Sequence, residues 1–403
     1  MFGAASGIFL SFLFCVPSCS LLIAASEMSA TVAAAQARER DWDAVDTKSV
    51  SVEQALSEER RKRQRADIKE LPVISLQAFL DGDAAAKEAT AKQWDRACAE
   101  VGFIKIVDHG VPKDVIDACW NATVDLFDEP VQAKLAFPRM NANYPYGYSG
   151  IAEENLLGSL DKGVKTAGDL KEMFNVCIGS RTPAADHPKV RWPADSDKLQ
   201  GAYERYHREL EKLSSRLYAC CALALGVEEA WFEDKIQQNR NVIRAIHYPR
   251  QTTAPVPGQV RASMHTDYGA LTILRLGGAY PGGLQVMGAT GSWIDVTTSP
   301  DEDAYVINLG DLMARWTNDR WLSTPHRVVN PPAGHPAALE PRYSIAYFVN
   351  LDMDAEVECI PTCAGEGGAK YSKILAGEWL MRKHKQTIRG KLCYEAGNDD
   401  DEA

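Results

Sequence analysis

Beyond Asn241 the chain changes rhythm. Seven short runs of strand-forming residues, at 242–248, 271–276, 283–287, 293–296, 304–309, 326–329 and 343–350, follow one another with Gly, Pro, Asn and Asp between them. Short strands separated by turn residues are the pattern of an antiparallel barrel or jelly roll. The residues before Asn241 read differently. A short strand is expected at 71–76, an amphipathic helix at 84–101, a strand at 103–107, and a helix from Pro112 to Phe127 that stops at Asp128-Glu129-Pro130. The longest helical pattern, 199–225, repeats Leu210, Leu213, Leu217, Ala224 and Leu225 at three- and four-residue intervals and reads as a scaffold helix. The fold class expected is therefore mixed α/β with a mainly β core: a distorted double-stranded β-helix with flanking helices and an N-terminal α/β portion.

The rest of the chain frames that core. Residues 1–28 form an apolar leader, uncharged through Ala25, and 29–70 a linker or exposed helix. Residues 71–237 form the N-terminal α/β region, 238–350 the jelly roll, and 351–403 a helical segment at 373–387 followed by an acidic tail expected to be disordered. The leader lacks the basic start of a secretory signal, and Pro17 with several Ser and Cys interrupts it, so a stable membrane span in the mature protein is not expected. A start at Met28 leaves a cytoplasmic protein; a leader that acts as a targeting signal sends it to an organelle or the secretory pathway.

Composition narrows the function. The 403 residues carry a formal net charge of -11, and the short basic run Arg60, Arg61, Lys62, Arg63, Arg65 reads as a solvated helix face. Nucleic acid is not an expected partner, because a binder needs a basic face able to replace counterions. The ten cysteines lack the paired spacing of a structural zinc site and read as free thiols. The sequon Asn121-Ala122-Thr123 falls in an expected helix and carries little weight.

The chemistry-bearing residues lie on or beside the strand runs. In His265-Thr266-Asp267 the imidazole and carboxylate are two residues apart, so an extended backbone points both the same way. His326, where an apolar run resumes, is the candidate third ligand. Two histidines and one carboxylate form the facial set that leaves positions open on iron(II). A lone His-x-Asp is weak on its own. The remaining histidines have simpler accounts: His187 and His335 lie beside Pro in loops, His207 and His384 lie on expected helices, and His247 sits in a strand as a structural hydrogen-bonding group. Arg342-Tyr343-Ser344 places a guanidinium and a hydroxyl on one strand face, a combination that grips a carboxylate through parallel hydrogen bonds.

At this point the sequence resembles the iron(II)/2-oxoglutarate-dependent dioxygenases of the isopenicillin N synthase-like superfamily, from about Leu71 to Asn350. The resemblance rests on Ala99-Glu100-Val101-Gly102-Phe103, Asp108-His109-Gly110-Val111-Pro112, Tyr146-Gly147-Tyr148 and Lys171-Glu172-Met173-Phe174. In the barrel it rests on His265-Thr266-Asp267, Gly283-Leu284-Gln285-Val286, Trp293, Asn308-Leu309-Gly310-Asp311, Trp316-Thr317-Asn318, His326-Arg327-Val328 and Arg342-Tyr343-Ser344. Asp108 stands where Asn is usual.

The resemblance implies iron(II) on His265, Asp267 and His326, with 2-oxoglutarate held at its far carboxylate by Arg342 and Ser344 and by Tyr248 as a further donor. It also implies O2 as oxidant and ascorbate as a reductant. The implied reaction hydroxylates or desaturates a small organic substrate and releases succinate and carbon dioxide. Ile246 replaces an Asn that many relatives carry, which removes one polar contact to the co-substrate. Phe174, Tyr144, Tyr148 and Phe348 are candidates for the pocket wall or for the core. An oxidase of the same superfamily that does without 2-oxoglutarate, a zinc hydrolase and a silent binding protein are the rival readings; succinate production separates the first of them.

Overall fold

The computed structural model describes residues 68–138, 146–159, 167–179, 192–193, 196–277, 282–298 and 302–392. The leader, the basic run at 60–65, Tyr144, His187 and the acidic tail lie outside the described residues. The first part runs β1 (Val73–Ser75), α1 (Gln77–Asp81), α2 (Ala84–Glu100), β2 (Phe103–Val107), α3 (Lys113–Asp128), α4 (Val131–Leu135), β3 (Gly147–Ser149), β4 (Glu172–Cys177) and α5 (Asp197–Leu225). The second runs through β5 (Val242–Tyr248), β6 (Ala262–His265), β7 (Leu271–Gly277), β8 (Leu284–Met287), β9 (Trp293–Asp295) and β10 (Tyr305–Leu309). It continues with α6 (Asp311–Trp316), β11 (His326–Val328), β12 (Arg342–Val349), β13 (Glu356–Val357), β14 (Ile374–Leu375) and α7 (Ala376–Leu392).

Among the described residues the strands form an eight-stranded sheet in the order β1-β2-β10-β7-β12-β5-β4-β3, a four-stranded sheet in the order β6-β11-β8-β9 and a two-stranded antiparallel sheet of β13 and β14. Apart from the parallel pair β1 and β2, neighbouring strands in the two larger sheets are antiparallel. This is the expected mixed α/β architecture, a large sheet with helices packed outside it.

The helices form where the apolar spacing predicts. In α5, Leu199, Tyr203, Tyr206, Leu210, Leu213 and Leu217 are buried along one stripe, and α2 and α3 pack against it. Gly226 ends the helix in the left-handed region at φ 72°, donating its N–H back to the Ala222 and Leu223 carbonyls. α2 starts at Asp83, whose side chain accepts from Ala86 N at 3.0 Å. The sequon at Asn121 does lie in a helix, α3, where the Thr123 hydroxyl is buried 2.8 Å from Tyr203 Oη.

Among the described residues five strands emerge that the strand readings did not include: β3, β4, β6, β13 and β14. The four residues of β6 are too few to display a period, and β4 is buried along its whole length, so it lacks alternation. The C-terminal helix begins three residues later than the 373–387 reading and extends to Leu392. Among the described residues no helix is long and apolar enough to cross a membrane. Cys98, Cys119, Cys177, Cys220 and Cys221 are buried free thiols.

Candidate active site

The open end of the two sheets encloses a cavity of about 520 Å³ lined by His265, Asp267, His326, Arg342, Ser344 and Tyr248. β11 lies between β6 and β8, and this pairing sets His326 directly opposite His265. The two imidazole centres are 4.2 Å apart. His265 Nε2 and His326 Nε2 lie 3.9 and 3.8 Å from Asp267 Oδ1. All three residues offer ligand atoms within 4.8 Å of one another, so a residue contributed by a strand 61 positions away completes the local His-x-Asp pair.

The surroundings orient these atoms. His265 Nδ1 donates to the Ser263 carbonyl at 2.8 Å and His326 Nδ1 to the Thr324 carbonyl at 3.1 Å, which leaves both Nε2 lone pairs facing the centre. Asp267 Oδ2 accepts from Thr272 Oγ1 at 2.5 Å and from Asn308 Nδ2 at 2.6 Å, leaving Oδ1 for a metal. Burial works to raise the Asp267 carboxyl, but His326, His265 and these two donors outweigh it and keep the group ionised. Burial, reinforced by His326, pushes His265 down to about 3, so it is a neutral ligand.

The donor set fits iron(II): two imidazoles and one carboxylate on one side, with the opposite side open to the cavity. Ligands at about 2.1 Å from a metal in octahedral geometry stand about 3 Å apart. The observed 3.8–3.9 Å therefore needs only small closing rotations. Gly310 belongs to the same arrangement. A Cβ there would stand 2.2 Å from the Gly269 carbonyl oxygen and 3.0 Å from that of Asp267, so only glycine lets the end of β10 pass this close to the ligand loop.

The second constellation lies on the large sheet. Arg342 pairs with Tyr248 and Ser344 with Ile246 across the β12–β5 ladder, so these side chains share one face. Arg342 and Ser344 are each 1% exposed. Arg342 Nε donates to the Gly282 carbonyl at 2.9 Å, and its guanidinium carbon sits 4.7 Å from the Tyr248 ring centre. Ile246 lines the cavity as an apolar contact. Of the candidate aromatics, Phe348 lines the cavity, while Tyr148 and Phe174 belong to the hydrophobic core. His247 is structural, with Nδ1 2.6 Å from Glu172 Oε1 and its ring stacked on Tyr343 at 4.7 Å.

Sequence reasoning missed a charged wall. Lys171 Nζ lies 2.9 Å from both Glu154 and Asp169, Arg244 reaches Glu154 at 3.4 Å, and Arg244 Nε donates to Asn175 Oδ1 at 2.7 Å. Burial favours a neutral Glu154, yet Lys171 and Arg244 overcome it and hold the carboxyl well below the usual range. Burial likewise disfavours the Lys171 charge, and Asp169 and Glu154 more than offset it. Two of these residues left a signal: Lys171 opens the Lys171-Glu172-Met173-Phe174 motif, and Arg244 lies four residues before Tyr248 on a strand, hence on the same face. His384, assigned only to a helix, lies on α7 and lines the cavity, its ring edge-on to Tyr268 at 5.7 Å. Trp379 Nε1 donates to the Tyr268 carbonyl at 2.9 Å and Lys383 to Asp311 at 2.7 Å, which ties α7 to the ligand loop and to α6.

Comparison with known proteins agrees with this geometry. Residues 71–195 match the N-terminal family of non-haem dioxygenases in morphine synthesis, and residues 239–351 match the 2OG-Fe(II) oxygenase superfamily. The chain belongs to the iron(II)/2-oxoglutarate-dependent oxygenases. It is 31% identical to a 2-oxoglutarate-Fe(II) type oxidoreductase of Emericella nidulans, over 80% of this chain and 92% of that one. It is 30% identical to the validamycin A dioxygenase of Streptomyces hygroscopicus subsp. limoneus, over 79% and 87%. Among solved structures it resembles a full-length Neurospora crassa protein in complex with alpha-KG and thymine, at 31% identity, TM-score 0.68, and 79% and 97% coverage. This oxygenase acts on a small organic substrate and uses iron(II) and 2-oxoglutarate.

Proposed function

We propose that His265, Asp267 and His326 hold the iron, that Arg342, Ser344 and Tyr248 hold the far carboxylate of 2-oxoglutarate, and that O2 is the oxidant in hydroxylation of the substrate. The observation that carries this reading is the meeting of both sets in one cavity, with the carboxylate grip on the large sheet and the metal ligands beside it. When bound, the iron supplies the one-electron and oxygen chemistry, with decarboxylation of 2-oxoglutarate to succinate as its driving half-reaction.

The protein's own work is positional. The two oriented imidazoles and the ionised Asp267 give the metal a fixed set of three donors with the remaining positions accessible. Arg342, pinned by Gly282 and stacked on Tyr248, offers a pre-oriented fork to a carboxylate, and the Ser344 hydroxyl adds a third donor. Ile246, Leu274, Leu284 and Val328 line the cavity and exclude water from the co-substrate. The alpha-KG and thymine in the Neurospora protein's complex support a small organic ligand here. Ascorbate enters this reading as the agent that returns the iron to its ferrous state.

Anaerobic reconstitution with iron(II) and 2-oxoglutarate tests the proposal. The visible charge-transfer band of the chelate is expected, weakened in Arg342→Ala at fixed 2-oxoglutarate. One bound iron per chain without a band would overturn the assignment of the co-substrate site.

A further inference from the structure

The metal and co-substrate sites leave one wall of the cavity without a task. On it Asn175 and Arg244 are register partners across the β4–β5 ladder. Arg244 Nε donates to Asn175 Oδ1 at 2.7 Å, and that bond identifies which end of the amide is the oxygen and turns Nδ2 elsewhere. Both residues line the cavity. Among the described residues, neither Asn175 Nδ2 nor Arg244 Nη2 donates to a protein acceptor. Arg244 packs its guanidinium carbon 5.3 Å from the Phe348 ring centre, so one face is covered and its edge remains for a ligand. It lies four residues from Tyr248 on the same face of β5, about 13 Å along the strand, beyond the co-substrate grip.

The charges on this wall are already balanced. Lys171 and Arg244 pair with Glu154 and Asp169, two cations against two carboxylates, and Arg240 and Asp354, which also line the cavity, add one charge of each sign. An anionic ligand would add a buried charge with no partner, which the low-dielectric cavity disfavours. An uncharged ligand that accepts and donates hydrogen bonds meets no such cost. Burial, and then the Arg244 charge, push His384 down to about 4, so it too presents a neutral imidazole at pH 7.

Resting on the oxygenase reading above, we propose that Asn175, Arg244, Glu154 and His384 form the substrate-recognition subsite and that it takes a small uncharged cyclic amide. The ring carbonyl accepts from Asn175 Nδ2 and Arg244 Nη2, the adjacent ring N–H donates to Glu154, and the apolar edge of the ring meets Phe348 and Leu380.

The test uses the full chain loaded with zinc(II), an oxygen-inert stand-in for the iron. Calorimetry follows the binding of 2-pyridone and δ-valerolactam against benzoate and cyclohexanecarboxylate, each with and without 2-oxoglutarate. The lactams are expected to bind about ten-fold tighter than the carboxylates, the scale set by one or two net hydrogen bonds. Asn175→Asp keeps the acceptor for Arg244 Nε and removes the donor, so it should weaken lactam binding about ten-fold while the 2-oxoglutarate affinity stays within about two-fold. His384→Ala, which alters another element lining the same cavity, should weaken lactam binding by a few-fold and serves if Asn175→Asp fails to fold. Carboxylates binding more tightly, lactams giving no heat, or lactam affinity unchanged in the folded variants would each overturn the subsite. Failure of 2-oxoglutarate to bind would instead strike the co-substrate assignment, and the titrations without it keep the two failures apart.

Discussion

Arg342 and Tyr248 face each other across the β12–β5 ladder, with the guanidinium carbon 4.7 Å from the centre of the tyrosine ring. The stack covers one face of a cation that is 1% exposed, and the bond from Nε to the Gly282 carbonyl fixes its rotation. A carboxylate arriving in the cavity therefore meets a fork that has already lost its freedom.

Replacing Arg342 with Met should raise the 2-oxoglutarate dissociation constant by roughly thirty-fold or more, corresponding to about 2–5 kcal/mol for a buried charged partner. Arg342→Lys should recover little, because a point charge cannot reproduce two parallel bonds. Titration of the metal-loaded protein with 2-oxoglutarate measures both, and an Arg342→Met affinity equal to wild type would remove Arg342 from the site.

Asp267 is aimed by Thr272 and Asn308, which both donate to Oδ2. Asn308→Ala should lower metal affinity by about ten- to a hundred-fold, as measured by chelator competition. Thr272→Val should act in the same direction. The double variant should fall short of the product of the two, since both groups hold one oxygen. Unchanged affinity in Asn308→Ala would mean that the metal itself sets the carboxylate.

Lys134 is buried with Nζ 2.9 Å from Glu172 Oε2, and Glu172 also receives the Tyr148 hydroxyl and stands 2.6 Å from His247 Nδ1. Lys134→Met strands a buried carboxylate and should cost about 3–5 kcal/mol of stability. Adding Glu172→Gln should restore much of it. Denaturant unfolding of the two variants decides, and equal stability of single and double variants would contradict the pairing.

His384 provides a pH test on the metal-free protein. Burial and Arg244 lower its folded-state value to about 4 from 6.5, against the opposing pull of Glu154. Between those values the unfolded chain binds the extra proton, so this contribution is present above pH 6.5 and is lost as pH falls toward 4. Its size is at most about 3 kcal/mol. Thermal melts of wild type should drop more steeply from pH 6.5 to 4 than those of His384→Gln, and parallel curves would refute the assignment.

The short-range features of this protein were legible from its residues. The 3.6-residue stripe of α5 and the repeated short β runs declared the helices and the sheet. The two-residue spacings in His265-Thr266-Asp267 and Arg342-Tyr343-Ser344 placed side chains on a common face, because alternation along extended backbone is local geometry. β6 escaped for lack of length, and β4 because it is buried throughout.

What the sequence by itself determined was which residues could share a strand face and which could serve as ligands. The tertiary structure alone decided which of them meet. His326 stands opposite His265 only because β6 and β11 pair, and Asn308 reaches Asp267 from another strand. The balance of Lys171, Glu154, Asp169 and Arg244, and the arrival of His384 in the cavity wall, also depend on contacts between segments far apart in the chain. Local periodicity cannot encode such meetings, because they are set by strand register and by the packing of α7 over the open end of the sheets.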